Sequence, residues 1–473
     1  MRQPNILLLM TDQQRWDALG CVGGWARTPA LDRIAAEGAR FTNCVSNSPV
    51  CIPTRLSLAT GLYPHNTGVW NNLHHQMSAQ QPTWMQAVRA AGYRTSLFGK
   101  THLHPHSGDL RAREGLMRLY GLDDVDEIGG PRASARCLSH MTAGWAAKGK
   151  WEAYREDYRE RFANKPHTVR PSTLGLEDYA DRYVGERARQ YLSRYDRDQP
   201  WCCWVSFGGP HEPWDAPEPY ASMYDPRDMP APLDLPADWD GGATRPRGAL
   251  DDRLASRPAP TAEEVAAMRA NYAGNVSLID DEIAGVIEVI EARGEWDNTV
   301  VVMSSDHGEM NGDFGLIYKS QFLNSAARVP LLVRAPGRTT AGSVCTSPVE
   351  WFDIGPTLVE AAGGELRHRH FARSLGPVLD SLAPEGPASA SPGATHRSEA
   401  LCELDNEIAM LDERWKMALN AAGQTYLLFD LQSDPDEQHN LAGDAGYADV
   451  AGQLRQRVLE RLVQSQPNLH GTD

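Results

Sequence analysis

Five short segments of this 473-residue chain carry side chains suited to chemistry at a tetrahedral oxyanion. The densest is Ser48-Pro49-Val50-Cys51-Ile52-Pro53-Thr54-Arg55. Pro53 fits the first turn of a helix, where its missing N–H is not needed, and Gly61 fits the far end. Cys51 then stands at a helix N-terminus, where the macrodipole and free N–H groups attract an anion. Arg55, one turn on, points back toward the same place and neutralises charge. A thiolate nucleophile is one reading, because such a setting lowers a thiol's pKa. It leaves the remaining four segments without a role.

Those four are Asp12-Gln13, Lys100 with His102, His211, and Asp306-His307, the last followed by Lys319. Asp12, Gln13, Asp306 and His307 offer mostly oxygen donors and one imidazole, a set for a hard or borderline divalent cation such as Ca²⁺, Mg²⁺ or Mn²⁺. Lys100, His102, His211 and Lys319 add cationic or proton-donating groups. Singly, each has an ordinary structural reading: a helix cap for Asp12, solvated loop residues for Lys100 and His102, a turn for Asp306-His307-Gly308. Together they share one feature. Each follows an apolar run that reads as a buried strand.

The runs are 6–10, 95–98, 201–207 and 299–303, separated by helical segments at 28–38, 81–92 and 262–294. This alternation predicts an α/β fold, a large mostly parallel sheet flanked by helices, whose ligands bind beyond the carboxyl ends of the strands. Segments 104–173 and 213–260 fit the alternation poorly and read as excursions that wall a pocket, with Trp70, Asn71, Asn72, His74 and Trp214 as further lining. After about residue 370 the character changes. A loop at 388–393, short strands within 398–431 and a helix at 450–463 predict a smaller C-terminal α+β subdomain, so the partition is 1–370 and 371–473.

A net charge of −16 argues against nucleic acid or an anionic membrane surface as partner, though not against a small anion in a local cationic pocket. No stretch is long and apolar enough to span a bilayer, and the first run lacks a cleavage site, which points to the cytoplasm. The eight cysteines show no paired CxxC spacing and read as buried thiols, Cys51 excepted.

Cys51-Ile52-Pro53-Thr54-Arg55 resembles the sulfatase signature C-x-P-S/T-R, in which the cysteine is oxidised to formylglycine (3-oxoalanine). The tyrosine-phosphatase loop, by contrast, spaces Cys and Arg six apart rather than four. The resemblance extends along the chain. Asn5-Ile6-Leu7 to Asp12-Gln13 is similar to the family's first metal segment, Gly99-Lys100-Thr101-His102 to its G-K-x-H, and Pro210-His211-Glu212-Pro213 to its P-H-x-P. Ser305-Asp306-His307-Gly308-Glu309 and Tyr318-Lys319 resemble the second metal segment and its lysine. Ser433-Asp434-Pro435-Asp436-Glu437 with Asn440-Leu441 resembles a C-terminal marker. Asp12-Gln13 and Asp306-His307 depart from the Asp-Asp and Asp-Asn of many arylsulfatases and look more like the choline-sulfatase and phosphonate-monoester-hydrolase branches. Lys100 and His102 look more like sulfatases.

The resemblance implies a sulfuric ester hydrolase with one divalent metal, Ca²⁺ first and Mn²⁺ as the alternative, held by Asp12, Gln13, Cys51, Asp306 and His307. It implies catalytic roles for Cys51, Arg55, Lys100, His102, His211 and Lys319, with the hydrated aldehyde at position 51 as nucleophile. Implied partners are a small-molecule sulfate ester and, during maturation, a formylglycine-generating enzyme; a homo-oligomer is left open. A phosphonate monoester or phosphodiester hydrolase on the same scaffold is the alternative, and a non-catalytic binder of sulfated ligands is the third reading.

Overall fold

The computed structural model describes residues 3–73, 75–164, 167–236, 260–382 and 395–466. The predicted loop at 388–393 and residues 237–259 of the second excursion lie outside them, as does His74. A nine-stranded sheet forms the centre, in the order β4 (Asp124–Glu127), β3 (Arg94–Gly99), β5 (Trp201–Pro210), β1 (Asn5–Asp12), β6 (Thr299–Ser305), β7 (Arg328–Arg334), β2 (Ala39–Val45), β8 (Ser343–Cys345), with β9 (Val349–Glu350) also on β2. The first five run parallel, and β7 is antiparallel to both its neighbours.

Strand β1 shows why the sheet is buried on both faces. Ile6, Leu8 and Met10 pack with Leu56, Trp84, Ile354 and Leu358, while Leu7 and Leu9 pack with Leu31, Val184, Ile283 and Val286. Alternate side chains of one strand thus enter two cores, each roofed by helices, as the two-residue period of a strand demands. The predicted helices are present as Pro29–Glu37, Trp84–Ala90 and Ala262–Ala292. The last carries a capping box between Thr261 and Glu264.

The excursion at 104–173 is more regular than its composition suggests. It holds the edge strand β4 and four helices, Glu114–Leu119, Gly130–Ser134, His140–Ala147 and Trp151–Asn164. The Asp-Val-Asp-Glu of β4 has no apolar period because the strand pairs on one side only and its acids bind cations. Asp124 accepts from Arg94 Nε at 2.7 Å and Asp126 from Arg187 Nε at 2.7 Å. Strands β2 and β7 were also not foreseen.

A four-stranded antiparallel sheet, β10 (Ala400–Leu404), β11 (Glu407–Leu411), β12 (Trp415–Leu419) and β13 (Thr425–Asp430), lies between two cores. One face packs on Val45, Val50, Phe322 and Leu323, and the other on Leu454 and Val458 of the helix Ala448–Gln464. The sheet therefore buttresses the segments on either side of Cys51. All eight cysteines are free thiols.

Strands β3, β5, β1 and β6 are adjacent and parallel, so their carboxyl ends meet at one edge. Register places Gly99 and Met10 both beside Ser206, and Thr11 beside Ser305. Asp181 secures the end of β5, its Oδ1 accepting the Gly208 and Gly209 N–H groups at 2.9 Å each. Burial pushes this carboxyl up to about 6 against those hydrogen bonds. Asp181→Ala should cost roughly 2–4 kcal/mol by leaving two buried donors unpaired. Because the folded pKa lies above the unfolded one, this group's contribution to wild-type stability should fall as pH rises from about 4 to 6. Asp181→Asn should remove that part of the slope, as read by urea unfolding at several pH values.

Candidate active site

Cys51 is the first residue of the helix Cys51–Thr60, after the extended Val50, and Gly61 closes it in the left-handed region at φ 69°. The free N–H of Ile52 is met by Asn72 Oδ1 at 2.9 Å. The Cys51 Sγ lies 3.1 Å from His307 Nε2, 3.9 Å from Asp12 Oδ1 and 4.0 Å from Lys100 Nζ. Burial alone would raise this thiol, yet Lys100, Lys319 and His307 hold it well below the ordinary value.

Arg55 is one turn along the same helix and is completely buried. Its Nε donates to Asp306 Oδ2 at 2.7 Å and its Nη2 to Asp12 Oδ2 at 2.9 Å. Its Nη1 donates to the Lys100 carbonyl at 2.8 Å and to Ser206 Oγ at 3.3 Å. One planar guanidinium thus ties the ends of β1, β3, β5 and β6 together. Asp12 also accepts from Lys100 Nζ. Burial and the nearby Cys51 would raise Asp12, but Lys100, His211 and Arg55 hold it well below the carboxylate range.

Asp306 Oδ1 accepts the backbone N–H groups of Gln13, at 3.0 Å, and His307, at 2.9 Å. His307 Nδ1 faces the Gly308 carbonyl at 3.0 Å. That bond places the Nδ1 proton and turns Nε2 toward Cys51, the arrangement that orients a metal-ligating imidazole. Donor atoms of Asp12, Cys51, Asp306 and His307 all lie within 4.8 Å of one another. Burial would lower His307, but Asp306 and Cys51 raise it. A divalent cation would take the place of that proton, so the donor set fits a metal.

Gln13 adopts φ 69° and is held from three sides. Its Nε2 donates to Glu212 Oε2 at 2.7 Å and to Glu309, and its Oε1 accepts from Lys319 Nζ. Lys319 Nζ also lies 2.8 Å from His211 Nε2. Burial opposes the charge on Lys319, yet Cys51, Glu212 and Asp12 raise its pKa. His102 sits in the left-handed region at φ 61°. Its Nδ1 is enclosed with no hydrogen-bond partner among the described residues. Burial, Lys100 and His106 hold it well below the ordinary imidazole value, which disfavours the protonated ring. Gly99, at φ 119°, is required just before Lys100, because a Cβ there would sit 1.7 Å from the Ser206 carbonyl oxygen.

The residues singled out in the sequence as catalytic or metal-binding therefore gather at one place. Cys51, Lys100, His102, His211 and Lys319 border a cavity of 210 Å³, whereas Asp12, Gln13, Arg55, Asp306 and His307 lie behind it. Of the predicted extra lining, Asn72 is present, but Trp214 is buried and stacked 5.8 Å from Tyr318. Ser206, Glu212, Glu309, Arg132 and Arg136 were not assigned. Glu212 and Glu309 stood next to the foreseen His211 and two residues past His307, and only that proximity could have flagged them.

A sulfatase family model matches residues 4–364, and a model of the N-sulphoglucosamine sulphohydrolase C-terminal region matches residues 312–464. The chain belongs to the sulfatase family, with its alkaline-phosphatase-like fold. It is 29% identical to the multifunctional alkaline phosphatase superfamily protein PehA of Trinickia caryophylli, over 97% of this chain and 95% of that one. It is 28% identical to a choline-sulfatase of Rhizobium meliloti, over 93% and 82%. The phosphonate monoester hydrolase of Silicibacter pomeroyi superposes with a TM-score of 0.79 at 27% identity, covering 98% of this chain and 96% of that one. Among the described residues, no helix is long and apolar enough to cross a membrane.

Arg55 is the residue whose loss should be felt most in stability. Arg55→Ala leaves Asp12 and Asp306 buried without their shared cation and should cost about 3–5 kcal/mol in chemical unfolding. Arg55→Lys should recover only part of this, because an ammonium cannot bridge both carboxylates with the same planar fork.

Proposed function

We propose that this chain hydrolyses sulfate monoesters through an aldehyde derived from Cys51, assisted by one divalent cation. The observation that carries the reading is the placement of Cys51 Sγ at a helix N-terminus, 3.1 Å from His307 Nε2 and within 4.0 Å of Asp12 and Lys100. Asp12, Asp306 and His307 would hold the cation together with residue 51, and the amide of Gln13 is the fifth candidate ligand. Ca²⁺ is the first choice and Mn²⁺ the alternative. When bound, the cation supplies positive charge that lowers the pKa of a hydroxyl nucleophile and neutralises the oxyanion.

The hydrated aldehyde supplies two hydroxyls on one carbon, one to attack and one whose deprotonation provides the exit. The chain's own groups divide the remaining work. Lys100 and Arg55 hold residue 51 and its surroundings in a field that favours anions. Lys319 and His211, 2.8 Å apart, stand as a proton-sharing pair for the departing alcohol oxygen. His102, whose charged form is disfavoured by burial and Lys100, is the group to accept a proton from the second hydroxyl. Maturation requires a formylglycine-generating activity acting on the Cys51 segment.

The second reading, a phosphonate monoester or phosphodiester hydrolase, is favoured by the TM-score of 0.79 to a phosphonate monoester hydrolase. Sulfate is preferred here because Lys100 and His102 both border the cavity, in the G-K-x-H pattern of sulfatases.

Protein with a quantified aldehyde content at position 51 should show a larger kcat/KM on a sulfate monoester than on the matched phosphonate monoester or phosphodiester. A larger value on either phosphorus substrate assigns the second reading. Cys51→Ala should abolish turnover, and full retained activity would overturn the mechanism. Chelation should remove activity in step with occupancy of the cation, and back-titration with Ca²⁺ and Mn²⁺ identifies the metal.

A further inference from the structure

The cavity beside Cys51 has an uneven wall. Among the described residues its lining includes no carboxylate and no Trp, Tyr or Phe, although the chain as a whole carries −16. The described lining thus offers no aromatic face to a quaternary ammonium. Most of its polar side chains are cationic or imidazole groups.

Most of these groups are already committed. Lys100 is bound to Asp12, and Lys319 to Gln13 and His211. His104 and His106 face Glu127 at 2.7 and 3.0 Å. Arg132 is tied to the buried Glu212 and lies over the Phe162 and Tyr318 rings at 5.2 and 5.4 Å. Arg136 differs. It is exposed, it lines the same cavity, and among the described residues its guanidinium makes no ion pair or side-chain hydrogen bond.

We propose that Arg136 forms a second anion subsite in this cavity, and that the substrate carries a further sulfate or carboxylate on the organic part released from the ester. This rests on the sulfate-ester reading for the reacting group. Among the described residues no acid lining the cavity satisfies this guanidinium, so an incoming planar or tetrahedral anion gains its fork without displacing a described partner. Arg132, four residues earlier and anchored by Glu212, fixes the wall that carries it.

The test uses α,ω-alkanedisulfonates of two to six carbons against the matched alkanemonosulfonates, with binding measured by calorimetry. Their C–S bonds are not sulfate esters, so the readout is independent of turnover. At least one disulfonate in the series should bind about ten-fold more tightly than its monosulfonate. That ratio should fall to near one in Arg136→Ala and be largely kept in Arg136→Lys. No disulfonate advantage in wild type, or an advantage that survives in Arg136→Ala, overturns the subsite. If the ratio behaves as stated while sulfate esters are not turned over, the subsite stands and the sulfatase mechanism falls.

Discussion

One fully buried cation, Arg55, links the strands that carry the site. Arg55 joins Asp12 of β1 to Asp306 at the end of β6, and reaches the Lys100 carbonyl after β3 and Ser206 of β5. Two carboxylates this close in a dry interior would repel each other, and leaving them both charged requires compensation on the spot. Arg55 provides it from the helix that also carries Cys51. The Cys51 helix and the strand ends are thereby tied by one side chain, with Lys100 adding its charge at Asp12.

The second level of control is a shell of anions behind the cations. Glu212 and Glu309 both hold Gln13, and Glu212 also binds Arg132. Arg132, His211 and Lys319 lower Glu212 to about 2 against the cost of burial. Burial and the neighbouring Glu212 push Glu309 up to about 7. The Gln13 amide, with its two N–H donors, serves both carboxylates. The cavity side of the site stays positive while the chain overall is acidic, so an anion is drawn to this one place.

Much of this was legible in the sequence because a parallel sheet buried on both faces writes its strands as apolar runs. The runs at 6–10, 95–98, 201–207 and 299–303 became β1, β3, β5 and β6, and the polar residues directly after them became the site. Strand β4 was hidden because its Asp-Val-Asp-Glu satisfies cations instead of a core. Strand β7 was hidden for a different reason: Pro330 interrupts its apolar run, and its antiparallel pairing leaves no catalytic residue at a strand end. Arg132 and Arg136 could not be singled out, since nothing local distinguishes a cavity-lining arginine from a solvated one. The pocket role given to Trp214 failed because its ring instead packs on Tyr318.

We propose that the side chain of residue 51 makes the attack on sulfur. A hydroxyl there, lacking the second oxygen of an aldehyde hydrate, should complete the first half of the reaction and then stall. Cys51→Ser incubated with a sulfate monoester and analysed by peptide mass spectrometry tests this directly. One sulfate is expected to accumulate on residue 51 with no sustained turnover. Steady turnover at the wild-type rate, or sulfate attached to another side chain such as His211, would contradict it.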